Sequence, residues 1–245
     1  VTYCVAIKVN RGIVFASDSR TNAGVDYIRT YSKMHKFVWP GEAVFVLLTS
    51  GNLATSQAVT NHLRRDLQGE SARSSLRKVR HLFDAAEYVG ELGRREQEQH
   101  GRAGRESGVD VRATFILGGQ IGEQQPEIFL IYPEGNYISA SPETPYLQIG
   151  ETKYGKPILD RVLTPDTSLA DVARCALVSL DSTMRSNISV GPPLELAVYQ
   201  KDSLQEPRYM TFKLASPYYK TLQKHWGDGL KRVFERLPRF EWEES

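Results

Sequence analysis

Four residues within the first 51 have the types that could share one reaction. Thr2 supplies a hydroxyl and, as the first residue of a mature chain, an α-amine beside it. A hydroxyl is a poor nucleophile until a base takes its proton, and an α-amine with an ordinary pKa of about 7.7–8.0 suits that task at neutral pH. The chemistry requires that Val1 be trimmed, as an initiator before a small residue is, because an acylated amine is no base. Lys33 could place an ammonium beside the nascent alkoxide, lowering the hydroxyl's pKa and steadying the charge. Asp18 could orient and balance that ammonium. Gly51 ends the apolar run VFVLLTS just before a helical pattern, so its N–H is unobstructed for a substrate oxyanion. Each residue also has a plain structural reading: Thr2 as a strand residue, Asp18 as the partner of Arg20, Lys33 as a solvent-facing lysine like Lys36, Gly51 as a turn. Only together do they describe a hydroxyl, a base, a charge modulator, an orienting carboxylate and an oxyanion donor.

These residues need strands to carry them. TYCVAIKV (2–9) and GIVFASDS (12–19) are β-rich runs joined by Asn10-Arg11-Gly12, a tight turn. KMHKFVW (33–39), closed by Pro40-Gly41, and EAVFVLLTS (42–50) predict a second hairpin. After Ser50-Gly51-Asn52 the period changes. Leu53, Val59, Leu63 and Leu67 fall on one side of a helix over 53–68 that ends at Gly69. A second helix is predicted after the serines at 74–75, with Leu76, Val79, Leu82, Phe83, Ala86, Val89 and Leu92 on its apolar face. The polar run 94–108 reads as a frayed end and loop.

Strand patterns return at 111–120, 126–133 and 137–141. A short mixed helix is predicted over 154–163. A cleaner one follows through Leu169, Val172, Ala173, Ala176 and Leu180, with Asp166 or Ser168 as N-cap. Strands at 194–200 and 207–214 precede a weakly helical C-terminal stretch with a polar end. The order suits one α+β domain over 1–245, with two antiparallel sheets between two helical layers.

Lys and Arg number 31 against 29 Asp and Glu, and the resulting +2 is too small to argue for nucleic acid or an anionic membrane. The five histidines are scattered and no Cys/His spacing suits a metal, so neither metal nor cofactor is expected. Cys4 and Cys175 sit in apolar patterns and read as buried thiols of a reducing compartment. With no signal-like segment and no bilayer-length apolar run, the cytoplasm is the expected location.

Thr2, GIVFASDSRTNAG (12–24), Lys33-Met34 and TSGNLA (49–54) together resemble the N-terminal-threonine hydrolases of proteasome β type, and within them the bacterial ancestral-β-subunit branch. The likeness extends along the whole chain and is sharpest over residues 2–54. It implies the N-terminal nucleophile hydrolase fold, a four-layer αββα sandwich. It also places the nucleophile on Thr2, the aspartate on Asp18, the lysine on Lys33, the oxyanion glycine on Gly51 and a supporting arginine on Arg20.

The later half departs from the β-subunit pattern. Where those subunits usually carry a serine in a Gly-Ser-Gly turn, IGETKYG (149–155) has Glu151. Their helix-end aspartate falls on Asp181, and their serine on Ser182 or Ser186. A carboxylate at Glu151 would hold the Thr2 amine protonated and damp its role as base. The resemblance implies hydrolysis of peptides or unfolded chains. It also implies self-assembly into a large homo-oligomer, ring-like or open and staggered, through the helices at 53–68 and 74–92. Ala23, Phe45, Leu48 and Leu53 are the expected apolar lining of a side-chain pocket. Two other readings stand beside this one: an amidase for small non-peptide amides, and a catalytically weak or inactive structural subunit.

Overall fold

The computed structural model describes residues 2–22, 28–69 and 75–243. Its first half runs β1 (Tyr3–Val9), β2 (Gly12–Asp18), β3 (Arg20–Asn22), β4 (Ile28–Thr30), β5 (Met34–Trp39), β6 (Ala43–Gly51), α1 (Leu53–Gln68) and α2 (Leu82–Ser107). The second half runs β7 (Ala113–Ile121), β8 (Glu127–Ile131), β9 (Tyr137–Ser139), β10 (Tyr146–Gly150), α3 (Lys156–Val162), α4 (Leu169–Ser186), β11 (Leu194–Gln200), β12 (Arg208–Phe212) and α5 (Pro217–Phe234). One antiparallel sheet has the order β10-β1-β2-β11-β12 and the other β5-β6-β7-β8-β9, while β3 and β4 pair on their own.

The strand sequences are apolar on both faces because both faces are covered. Along β1, Tyr3, Val5, Ile7 and Val9 enter a core shared with Val172, Cys175, Ala176 and Leu180 of α4. The alternate residues Cys4 and Ala6 face the other sheet, with Phe15, Met34, Val46, Leu48 and Ile116. On the far side, Phe45, Leu47, Phe115 and Leu117 meet Val59 and Leu63 of α1 and Ala86, Val89 and Leu92 of α2. The result is an αββα sandwich with three apolar cores. Each fully buried large side chain in them contributes about 1.5–3 kcal/mol, against about 0–1 kcal/mol for an exposed ion pair such as Arg102–Glu106.

Several expectations need correction. α2 begins at Leu82; Ser75 to Lys78 form a turn, closed by Lys78 N–H on Ser75 O at 3.0 Å. The polar stretch 94–108 is helix through Ser107. It is held because Glu96 is buried against His62 (2.9 Å) and Gln97 bonds Gly93 O, Pro133 O and Ala113 N–H. The exposed pair Arg94–Glu98 adds an i,i+4 contact on its surface. β10 and the β3–β4 hairpin are strands the periodicity gave no sign of.

Phe45 and Leu48 are fully buried in the helix-side and inter-sheet cores, so neither lines a pocket open to substrate. Leu53 is half-buried, and Ala23 lies outside the described residues. α1 spends its apolar face on the β5–β9 sheet, as does most of that of α2. Exposed apolar groups are concentrated in sequence at the end of α5 and beyond: Leu230, Val233, Phe234, Leu237, Phe240 and Trp242. The expected polar C-terminal end is therefore rich in exposed apolar groups. Among the described residues no helix is long and apolar enough to cross a membrane.

Candidate active site

One carboxylate ties Lys33 to the residue that follows Thr2. Asp18, at the end of β2, is fully buried, and its Oδ1 accepts both the Tyr3 N–H (3.1 Å) and the Lys33 ammonium (2.6 Å). Its Oδ2 accepts the Gly191 N–H at 3.1 Å. Lys33 is 6% exposed and also donates to Arg20 O at 2.7 Å. The amide that follows Thr2 and the head of Lys33 thus share one oxygen. Burial pushes the Asp18 carboxyl above its ordinary range, and the Lys33 charge and the two backbone amides oppose that push.

Thr2 is itself 9% exposed. Its carbonyl accepts the Glu151 N–H at 2.7 Å, at the turn leaving β10. Gly150, paired with Tyr3 across β10 and β1, has φ +85°, and a Cβ there would stand 1.9 Å from Thr2 O and 3.3 Å from Ser50 Oγ. Only glycine allows that approach. It also sets Ser50, near the end of β6, beside Gly150.

Gly51 follows Ser50 with φ +98°, where a side chain would meet Arg112 O at 2.4 Å. On the β5 edge of β6, Thr49 N–H donates to Lys33 O at 2.9 Å, and the β5–β6 ladder stops at Met34↔Leu48. The Gly51 N–H, two residues on, projects from the same edge past the end of that ladder. Asn52 then caps α1 by accepting the Thr55 N–H at 3.1 Å. Among the described residues no three His, Cys, Asp or Glu are grouped to hold a metal ion.

The profile of the proteasome subunit family matches residues 2–199. Anbu, the ancestral β-subunit, from Yersinia bercovieri is 43% identical, with a TM-score of 0.91 over 98% of each chain. The chain belongs to the Anbu branch of the proteasome family. A helical assembly of the Anbu complex from Pseudomonas aeruginosa is 48% identical, with a TM-score of 0.90 over 97% of this chain and 98% of that one. A Gly-1 mutant of Anbu from Hyphomicrobium sp. strain MC1 is 42% identical, with a TM-score of 0.91 over 98% and 100%. A search among curated proteins returned no match.

Within this Anbu fold the remaining sequence candidates fall in different places. Arg20 makes no ion pair with Asp18. Its Nη1 donates to Ile188 O at 2.6 Å, and its guanidinium lies where a side chain on Gly191 would stand, 2.3 Å from Cζ. It therefore props the loop whose Gly191 N–H reaches Asp18. Glu151 is half-buried, and its Oε2 accepts from Asn187 Nδ2 at 3.1 Å.

Asp181 faces the outer helix instead: its carboxylate accepts from Arg185 (3.1 Å), Tyr219 (3.4 Å) and Gln223, pinning α5 to α4. Ser182 is half-buried on α4 and Ser186 exposed at its last turn. Among the described residues neither serine hydrogen-bonds Thr2, Asp18 or Lys33. Asn187, Gly191 and Gly150 were not singled out from the sequence. Gly150 is the neighbour of Glu151 in IGETKYG and Asn187 the neighbour of Ser186, whereas Gly191 adjoins no residue the sequence points to.

Proposed function

We propose that this Anbu chain is a subunit of a self-assembling complex whose Thr2, with its amine freed by loss of Val1, hydrolyses amide bonds in peptides or unfolded chains. The observation that carries this reading is the oxygen shared by Lys33 Nζ and the Tyr3 N–H. It holds an ammonium next to the start of β1 before any substrate arrives, which is preorganised electrostatics. The free amine takes the Thr2 hydroxyl proton, directly or through a water, and the oxygen attacks the amide carbonyl. The tetrahedral oxyanion lies against the Gly51 N–H at the entry to α1, while Lys33 steadies the negative charge. The ammonium returns its proton to the departing amine, leaving an ester on Thr2, and water then attacks the ester to restore the hydroxyl.

A second reading, a subunit of weak or no turnover whose main role is assembly, has its own support. Glu151, whose backbone N–H holds the Thr2 carbonyl, brings a carboxylate where the β-subunit pattern has a serine, and the solved relatives include a helical Anbu assembly. The exposed apolar groups at the end of α5 suit contact between copies. A small amide as substrate would use the same centre.

One preparation tests these readings. The mass of its N-terminus should show Thr2 first, and an electrophilic threonine inhibitor should add to wild type, slowly to Thr2→Ser and not to Thr2→Ala. Full hydrolysis by homogeneous Thr2→Ala would remove Thr2 from the chemistry. Sedimentation should give a mass many times 27.6 kDa, and a monomer would end the assembly reading.

A further inference from the structure

β11 reads LELAVYQ, a strand with one charge in an apolar run, and that charge is 5% exposed. Glu195 lies opposite Ser17 of β2 and Thr211 of β12. Its Oε2 accepts from Ser17 Oγ (3.3 Å), Ser32 Oγ (3.1 Å) and Lys33 N–H (3.3 Å). Its Oε1 accepts from Ser32 Oγ (2.8 Å) and from the Tyr209 hydroxyl. A carboxylate closed off from water is costly unless its lone pairs are filled. Here they are filled by β2, by β12 and by the two residues that lead into β5.

The consequence falls on Lys33. Its carbonyl is taken by β6 and its ammonium by Asp18. Its N–H, the remaining handle, is taken by Glu195. The lysine enters its strand from a short polar approach, Ser32, which is exposed. Without Glu195 nothing charged would grip the main chain where that approach becomes β5. A long side chain whose main-chain root shifts carries its ammonium with it, and small misplacements of a catalytic group are expensive in rate.

Resting on the threonine chemistry above, we propose that Glu195 is a positioning residue that fixes the main chain of Lys33, so that its ammonium serves the Thr2 hydroxyl. Asp18 and Glu195 then hold the same lysine from opposite ends, one at its head and one at its root.

Two readouts test this, one of them independent of activity. Acetylation of the folded protein by an N-hydroxysuccinimide ester, followed by mass spectrometry, should find Lys33 protected in wild type. In Glu195→Gln it should react at least about ten-fold faster, with Lys8 and Lys36 unchanged. Ser32→Ala, which removes one donor and keeps the carboxylate, should raise Lys33 reactivity by a smaller factor. The second readout is Thr2 labelling by a β-lactone. Glu195→Gln should slow it about ten-fold or more and Glu195→Asp should restore part of the rate. In a Lys33→Ala background Glu195→Gln should change nothing further.

Unchanged Lys33 protection in folded Glu195→Gln, or the same fold-loss of labelling with and without Lys33, would overturn the assignment. Should Glu195→Gln fail to fold, unchanged Lys33 reactivity in Ser32→Ala would overturn it. A wild type that never labels would sink the threonine chemistry instead, and the acetylation ratio would still decide whether Glu195 grips Lys33.

Discussion

Asn187 donates its side-chain N–H to Glu151 at 3.1 Å, tying the residue that caps the end of α4 to the one whose own amide grips the Thr2 carbonyl. The carboxylate thus has a hydrogen-bond donor within its own chain. A neutral amide offsets none of its charge, and that charge is carried by the residue whose backbone N–H holds the Thr2 carbonyl.

Removing that charge should therefore favour the neutral amine. Glu151→Gln and Glu151→Ser are expected to move the rising limb of the Thr2 labelling rate to lower pH, since that limb reports the free enzyme's essential base. Asn187→Ala, which strips the carboxylate of its donor, should leave the limb in place or move it upward. An unmoved limb in both Glu151 variants, with the oligomer intact, would show that the carboxylate does not govern the amine.

The Asp18–Lys33 pair is buried on both sides. Lys33→Ala leaves Asp18 without its cation and should cost about 3–5 kcal/mol of stability, together with one or more decades of labelling rate. Asp18→Asn should slow labelling similarly. The double variant Asp18→Asn, Lys33→Met removes both charges and should recover much of the stability but none of the rate. Urea denaturation and labelling on the same samples separate the two effects. A double variant as unstable as Lys33→Ala alone would contradict the account.

His35 gives a pH dependence of stability that has nothing to do with catalysis. Burial, and then the charge of Arg64, push its pKa down to about 4, and Arg64 donates to His35 Nδ1 at 3.3 Å. The unfolded chain binds the proton near pH 6.5, whereas the folded one resists it. Its share of the stability is therefore full above about pH 6.5 and is lost as pH falls toward 4. Wild type should lose more stability between pH 7 and pH 5 than His35→Gln does. Equal losses in urea titrations at the two pH values would refute this.

What could be read from the letters depended on sequence distance. Thr2, Asp18, Lys33 and Gly51 ride on neighbouring hairpins, and alternation plus turn residues bring hairpins together without further information. Glu151 and Glu195 reach the same place through β10 and β11, which flank β1 and β2 only because of the strand order. Nothing local in YLQIG or LELAVYQ names its neighbours, although an isolated glutamate in an apolar strand points to a carboxylate with partners. Asp181 lies elsewhere for a related reason. A carboxylate near a helix end looks free to reach the site, but the face it occupies was decided by the docking of α5, through Tyr219 and Gln223. The polar stretch of α2 carries no periodic signal because its helix is stabilised by tertiary partners, His62 and Ala113 N–H among them, and not by an apolar stripe.

The same tertiary logic relocates the expected assembly surface. α1 and most of α2 are committed to the β5–β9 sheet, while in α5 only Tyr219 is fully buried and Leu230, Val233 and Phe234 are 51%, 63% and 75% exposed. Water-facing apolar groups of this size, in a row with Leu237, Phe240 and Trp242, are expected to be covered by another copy of the chain. Val233→Lys with Phe234→Lys should then break the oligomer into smaller species. Because both side chains are exposed, the fold of each subunit should change by no more than about 0.5 kcal/mol. Sedimentation and thermal melting of the double variant give both quantities, and an unchanged mass would move the contact away from α5.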